Sequence, residues 1–428
     1  MIENSTHIKG AERPSLEFPP EVTESVSEII AAVRSDGDDA LRELTARFDG
    51  VERESIRVTD EELASARKRL SEEDREVIDE TIENVHEFHE EQRGHLEGFE
   101  REFDDGVRLG QRVVPIERAG VYVPGGRYPL VASPAMTIVP AVVAGVEHVV
   151  ACAPPQDDGS VQPAQLYAMD RTGADEIYCV GGAQAIAAMA YGTESVPTVN
   201  VVTGPGNAYT TEAKRQVFGH VGVDFLAGPT EVLIIADDTA DPELVATDLL
   251  AQAEHDTDSR VVLVSLEESL ARETIDAVEA QLEELPTAET ARACWAENGE
   301  VIVAEDRDAA IAVANDYAME HLQVMSDEPR EYVDDLVNYG SLFLGHHSPV
   351  VFGDKAVGTN HCLPTLEVST YTGGIWVGTY LKTLTHQQLT AEGAASIAPH
   401  AAKICELEGT VAHRLSAEKR FDGEAERQ

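Results

Sequence analysis

Apolar positions recur with a helical period from residue 22 to about residue 93. Val22, Val26, Ile29, Ile30 and Val33 make one stripe, Leu41, Leu44 and Phe48 a second, and Ile78, Ile82 and Val85 a third. The first twenty residues have no clear period, and Pro14, Pro19 and Pro20 imply an arm. At Ala119 the texture changes. The short apolar run 120–123 predicts a strand, 130–144 a helix and 149–152 a second strand. Further runs at 177–180, 199–202, 232–236, 261–264 and 301–304 predict more strands, with helical segments between most of them. Alternation of this kind implies parallel sheets with crossover helices, and its length implies two of them, so the expected fold is α/β and Rossmann-like.

Three glycine-rich turns follow predicted strands: Pro124-Gly125-Gly126, Gly181-Gly182-Ala183-Gln184 and Gly204-Pro205-Gly206-Asn207. None is a GxGxxG fingerprint, and each alone reads as a tight turn. Three at the strand ends of one parallel sheet open on the edge where such folds bind ligands, which points to a dinucleotide. Beyond Pro364 the texture changes again. Tyr371-Thr372-Gly373-Gly374 reads as a hinge and 390–415 as largely helical, split at Pro399, with a bend at Gly409 between Glu408 and His413.

The charge narrows the partners. Lys and Arg total 32 against 79 Asp and Glu, a formal balance of −47, spread along the whole chain. That field repels nucleic acid and anionic membrane surfaces. It exceeds what solubility requires and matches a surface kept hydrated in concentrated salt, so a halophilic source is expected. The five cysteines, Cys152, Cys179, Cys294, Cys362 and Cys405, form no CxxC pair. Reduced thiols are therefore expected, and with no apolar run of transmembrane length and no signal peptide the expected location is cytoplasmic.

The chemistry centres on Asn315-Asp316-Tyr317-Ala318-Met319-Glu320-His321-Leu322. A helical run before it and an extended one after it place the Glu320–His321 pair at a helix-to-strand junction, and these two side chains are readily tuned to move protons near neutral pH. Gln252 and His255 are spaced i,i+3 at the end of an apolar helical run, so both can face one point. Asp354 and His361 flank Gly358-Thr359-Asn360, and His413 is a further imidazole. An amide oxygen, a carboxylate and imidazoles without thiolate suit catalytic rather than structural zinc. Taken singly, His255 also reads as a helix-terminus histidine, Asp354 as a loop-stabilising carboxylate and His413 as a surface side chain. His86 and His89, set among glutamates, read as an exposed helix face.

The segments Ala251-Gln252-Ala253-Glu254-His255, Tyr317 to Leu322 and Gly358-Thr359-Asn360-His361-Cys362-Leu363-Pro364-Thr365 resemble those of the histidinol dehydrogenase family. The likeness extends through 121–126, 204–208, Ala227-Gly228-Pro229-Thr230-Glu231 and the Glu408 to His413 tail, and so from about residue 20 to 415. It implies a zinc-dependent homodimer that oxidises L-histidinol to L-histidine in two steps with two NAD+. By position, Gln252, His255, Asp354 and His413 would hold zinc, His413 coming from the partner subunit's tail. Glu320 and His321 would be the catalytic pair. Tyr122, Gln184 and Asn207 match the family's NAD positions, and Thr230, His361 and Glu408 its substrate contacts. Two departures stand out: Thr230 replaces Ser, and Lys355 stands where some members carry an aromatic residue.

The expected organisation is an arm at 1–22, a first Rossmann-like domain at 23–119 and 229–372, a second at 120–228, and a helical tail at 373–428. Two rival functions remain: related oxidation of another amino alcohol or polar diol, and a zinc hydrolase in which Glu320 activates water. The hydrolase leaves the three glycine turns without a role.

Overall fold

The structure is a computed structural model that describes residues 4–13, 18–125 and 129–421. Pro14 and Gly126 lie outside the described residues, so the expected arm and first glycine turn are covered only in part. In chain order the strands are β1 (Ser5–Lys9), β2 (Phe99–Asp104), β3 (Val107–Pro115), β4 (Arg118–Tyr122), β5 (His148–Ala153), β6 (Glu176–Cys179), β7 (Val201–Thr203) and β8 (Gly222–Val223). They continue with β9 (Glu231–Ala236), β10 (Arg260–Ser265), β11 (Gly299–Ala304), β12 (His321–Met325), β13 (Ser341–Leu344) and β14 (Leu381–Leu389).

Two compact units divide the chain. The larger spans residues up to 92 and 116–380, the smaller 93–115 and the residues from 381 onward. The larger unit contains both expected parallel sheets. One runs β6-β5-β4-β7-β8 and is parallel throughout. The other runs β1-β11-β10-β9-β12-β13 and is parallel except for β1. Its central strands are continuous apolar runs, Val232 to Ala236 and Val261 to Val264, with every residue buried. That is the pattern of strands covered on both faces. In each sheet of the larger unit the strand order reverses once, between β4 and β7 and between β9 and β12, and those switch points frame the candidate site residues.

Part of the segment read as an arm is in fact β1, an antiparallel edge strand on β11. The Pro20–Phe48 helix, grouped with 229–372 in the expected organisation, packs Val22, Val26, Ile30 and Leu41 into the core around Tyr122, Val150 and Ile186. That core belongs to the 118–223 sheet.

The smaller unit has an antiparallel sheet, β14-β3-β2, followed by helices at Ala391–Glu408 and Val411–Phe421. The tail is therefore helical only after β14. Pro399 does not split it. Pro399 lies inside the first helix on its exposed side, where the hydrogen bond it cannot make leaves a carbonyl facing solvent and not core. The helix ends at Gly409, left-handed at φ +74, whose N–H closes the last turn on Cys405 and Glu406 carbonyls.

Candidate active site

The site lies at the amino-terminal edge of the β9–β12 switch point. Thr230 precedes β9 and Glu231 begins it; Glu320 precedes β12 and His321 begins it. The Arg307–Tyr317 helix returns from β11 and ends at Ala318, left-handed at φ +48, and this turn delivers Glu320 into the strand. The Pro242–Ala253 helix likewise runs back from β9 and brings Gln252 and His255 to the same edge.

Glu320 and His321 are both buried. Glu320 Oε2 accepts hydrogen bonds from Thr230 Oγ1 at 2.5 Å and from the Glu231 N–H at 3.0 Å. Thr230 Oγ1 in turn accepts from Gln252 Nε2 at 2.5 Å, so a hydrogen-bond chain joins Gln252 to Glu320. His321 Nδ1 donates to the Glu231 carbonyl at 3.0 Å, which leaves Nε2 without a hydrogen bond. His361 is held at both ring nitrogens: Nδ1 donates to the Asp354 carbonyl at 2.8 Å, and Nε2 accepts from Ser133 Oγ at 3.1 Å.

The electrostatics follow from burial and charge. Burial raises the Glu320 carboxyl above its ordinary range. Burial opposes charge on His321, but the carboxylates of Glu320 and Asp354 overcome it and push the imidazole up to about 9. Burial also works against charge on Asp354, yet His321 holds its carboxyl well below the usual range. His255 and His361 shift downward, through burial first and the Lys355 ammonium as well, which favours the neutral imidazole in both.

His321 Nε2 and Asp354 Oδ1 are buried, 3.4 Å apart at ion-pair distance, and neither makes a hydrogen bond. Unsatisfied buried polar atoms are rare, and here they mark where a cation or a polar substrate group would bind. Imidazole, carboxylate and amide donors fit a borderline divalent cation. Among the described residues no three His, Cys, Asp or Glu side chains converge on one cation position. A four-ligand shell therefore needs Gln252 and a group from elsewhere. Glu408 and His413 belong to the smaller unit, where both are exposed. Beside His255 and His361 opens a cavity of about 380 Å³, walled by Ile78, Ile82, Leu130 and Ala135 and carrying Lys355.

The other sheet presents its residues at the carboxyl edge. Tyr122 ends β4, and its buried hydroxyl accepts the Gly182 N–H at 3.1 Å. Gln184 is buried in the first turns of the helix after β6. Asn207 caps the helix after β7, its Oδ1 accepting from the N–H groups of Tyr209 and Thr210, both at 3.1 Å. Gly204 is left-handed at φ +112 and packs directly on the Tyr122 main chain, which no side chain would permit.

His89 is fully buried, contrary to the exposed face expected from its sequence: its Nδ1 bonds the Val85 carbonyl, and Asn360 lies 3.4 Å from its Nε2. Sequence reasoning also missed Glu231 and Ser133. A glutamate opening the buried strand Val232 to Ala236 was the available signal for the first; nothing nearby in the chain flags Ser133.

The chain is similar to known proteins over nearly its whole length. A family model described as Histidinol dehydrogenase matches residues 12–421. A "Histidinol dehydrogenase homolog" of Shouchella clausii is 46% identical over 399 residues, covering 93% of this chain and 94% of that one. A "Sulfopropanediol 3-dehydrogenase" of Ruegeria pomeroyi is 42% identical over 417 residues, covering 97% and 96%. The crystal structure of histidinol dehydrogenase from Elizabethkingia anophelis superposes with a TM-score of 0.91 at 36% identity, covering 96% of this chain and 94% of that one.

Proposed function

The chain belongs to the histidinol dehydrogenase family and is an oxidoreductase, and from that premise we propose that it oxidises L-histidinol through L-histidinal to L-histidine with two NAD+ and zinc. The observation that carries this reading is the buried His321 Nε2 facing Asp354 Oδ1, with Glu320 pinned beside them.

The ligands proposed for zinc are Gln252, His255, Asp354 and the partner subunit's His413, and the NAD+ positions are Tyr122, Gln184 and Asn207. When bound, zinc would hold the substrate's nitrogen atoms and offset the charge of Asp354, and NAD+ would accept a hydride in each step. His321, with Nδ1 committed to the Glu231 carbonyl, takes the alcohol proton at Nε2 in its neutral form, whose share grows as pH rises towards about 9. Glu320, fixed by Thr230 and the Glu231 N–H, takes a proton from the water that adds to the aldehyde. The balance is one alcohol, one water and two NAD+ giving one carboxylic acid, two NADH and two protons. His361 and Glu408 are the proposed substrate contacts. A homodimer is supported by the exposed apolar side chains of the smaller unit, among them Leu407, Val411 and Leu415. Among the described residues no helix is long and apolar enough to cross a membrane.

A second reading, oxidation of an anionic diol, is favoured by Lys355 in the cavity wall and by the sulfopropanediol dehydrogenase relative. Comparing kcat/KM for L-histidinol and a sulfonate-bearing propanediol in concentrated salt separates the two: the proposal expects histidinol to be preferred, and a preference for the sulfonate overturns it. Replacing Asn207 with Ala removes the cap beside the nucleotide turn. It is expected to raise the KM for NAD+ about tenfold, and to cost about 1 kcal/mol of stability, read from a denaturant midpoint.

A further inference from the structure

Glu231 occupies an unusual place for a carboxylate. It opens β9, a central strand whose other residues are apolar and buried, and it is itself 2% exposed. A buried carboxyl is costly unless it is bonded, so a structural strand would place an apolar residue here. Its register partner on β10, Arg260, sends its guanidinium to Glu300.

Three contacts account for Glu231. Its N–H donates to Glu320 Oε2 at 3.0 Å, its carbonyl accepts from His321 Nδ1 at 3.0 Å, and its Oε1 accepts the Leu366 N–H at 3.0 Å. The third contact reaches the segment that begins with Asn360 and His361. There Leu366 and Glu367 are consecutive non-glycine residues at φ +55 and +64, a left-handed pair that persists only when surrounding bonds impose it. One such bond is the Gly228 N–H to Thr365 Oγ1 at 2.7 Å; another is from the Leu366 N–H to the Glu231 carboxyl. The approach is close: a Cβ on Gly228 would lie 2.5 Å from Leu366 Cδ1.

We propose that Glu231 is a positioning residue of the active site, its main chain orienting Glu320 and His321 while its carboxylate anchors the loop that carries His361. This rests on the reading of Glu320, His321 and His361 given above. The main-chain contacts survive any substitution at 231, so the carboxylate can be tested alone. Losing it frees the loop and weakens substrate binding, while the main-chain bonds to Glu320 and His321 remain.

The test uses the full-length protein as wild type, Glu231→Leu, Glu231→Asp and Glu231→Gln. Leu removes the acceptor, Asp withdraws it by one methylene while keeping the carboxyl group, which burial and the neighbouring Glu320 raise to about 8 at position 231, and Gln retains an acceptor oxygen. Amide hydrogen exchange in 358–367 is expected to quicken at least about tenfold in the Leu and Asp variants, and to stay within about threefold in Gln. KM for the alcohol should rise about tenfold in Leu and Asp, with kcat within about threefold. A merely structural role would instead lower the active fraction at unchanged KM. Wild-type exchange in 358–367 for both Asp and Leu overturns the proposal, as does an unchanged KM alongside a reduced rate. Should Leu fail to fold, the contrast between Asp and Gln decides. Should the wild type oxidise no alcohol, the function proposed above fails, while exchange still judges the role of Glu231.

Discussion

Glu320→Gln is expected to halt the reaction at the aldehyde: oxidation of L-histidinol persists within about tenfold of wild type, while oxidation of L-histidinal falls by about 10² to 10⁴, the usual worth of a positioned general base. Gln preserves the shape of the side chain and an oxygen able to accept from Thr230 and the Glu231 N–H, so the site stays assembled. What it lacks is the capacity to take a proton from water. Supplying alcohol and aldehyde separately, and following NADH from each, distinguishes the two losses. Equal loss in both steps would move Glu320 from water activation to substrate orientation. The pH profile gives a second check. Burial raises the Glu320 carboxyl, so in the wild type the ionised, working form is lost progressively as pH falls, and aldehyde oxidation should fall with it. That acid limb should vanish in the Gln variant.

His255→Ala is expected to cost on the order of 10³ in kcat/KM for the alcohol, because losing a proposed zinc ligand would forfeit several kcal/mol of metal-supplied binding and polarisation. His255 sits at the end of the Pro242–Ala253 helix, partly buried and favoured in its neutral form by burial and by Lys355, which is the state a metal ligand requires. Zinc per subunit, measured by elemental analysis after dialysis, should fall from about one to well below it. Full zinc content with full activity would remove His255 from the site and leave it a helix-terminus histidine.

Much of this fold is readable in the sequence because the central strands of its two larger sheets are parallel and doubly covered. Runs such as Val232 to Ala236 and Val261 to Val264 need no partner to be recognised, and the turns that follow β4, β6 and β7 are marked by glycine. Elements whose conformation depends on a distant neighbour are not readable in this way. β1 exists because β11 offers an edge, and the mostly exposed β14, Leu381 to Leu389, exists because β3 pairs along its whole length. His89 is buried beside Asn360, 271 residues away, and the glutamates around it gave the opposite signal.

The site divides similarly. Glu320 and His321 were visible as a dyad at a helix-to-strand junction, and Gln252 and His255 as a helical i,i+3 pair. What no local pattern carries is the placement of the groups around them. Glu231 serves mainly through its backbone and through a loop 135 residues away. The geometry also puts the proposed catalytic pair at the amino edge of its sheet and the proposed nucleotide residues at the carboxyl edge of the other. The general rule for such folds anticipates only the second.

The most direct test of the central claim is the number of NADH formed per L-histidinol consumed, measured to completion in concentrated salt with excess NAD+, with and without a chelator. Two NADH per histidinol, abolished by the chelator and restored by zinc, is the result this mechanism requires. One NADH per histidinol with aldehyde released, or turnover that survives complete removal of metal, would contradict it.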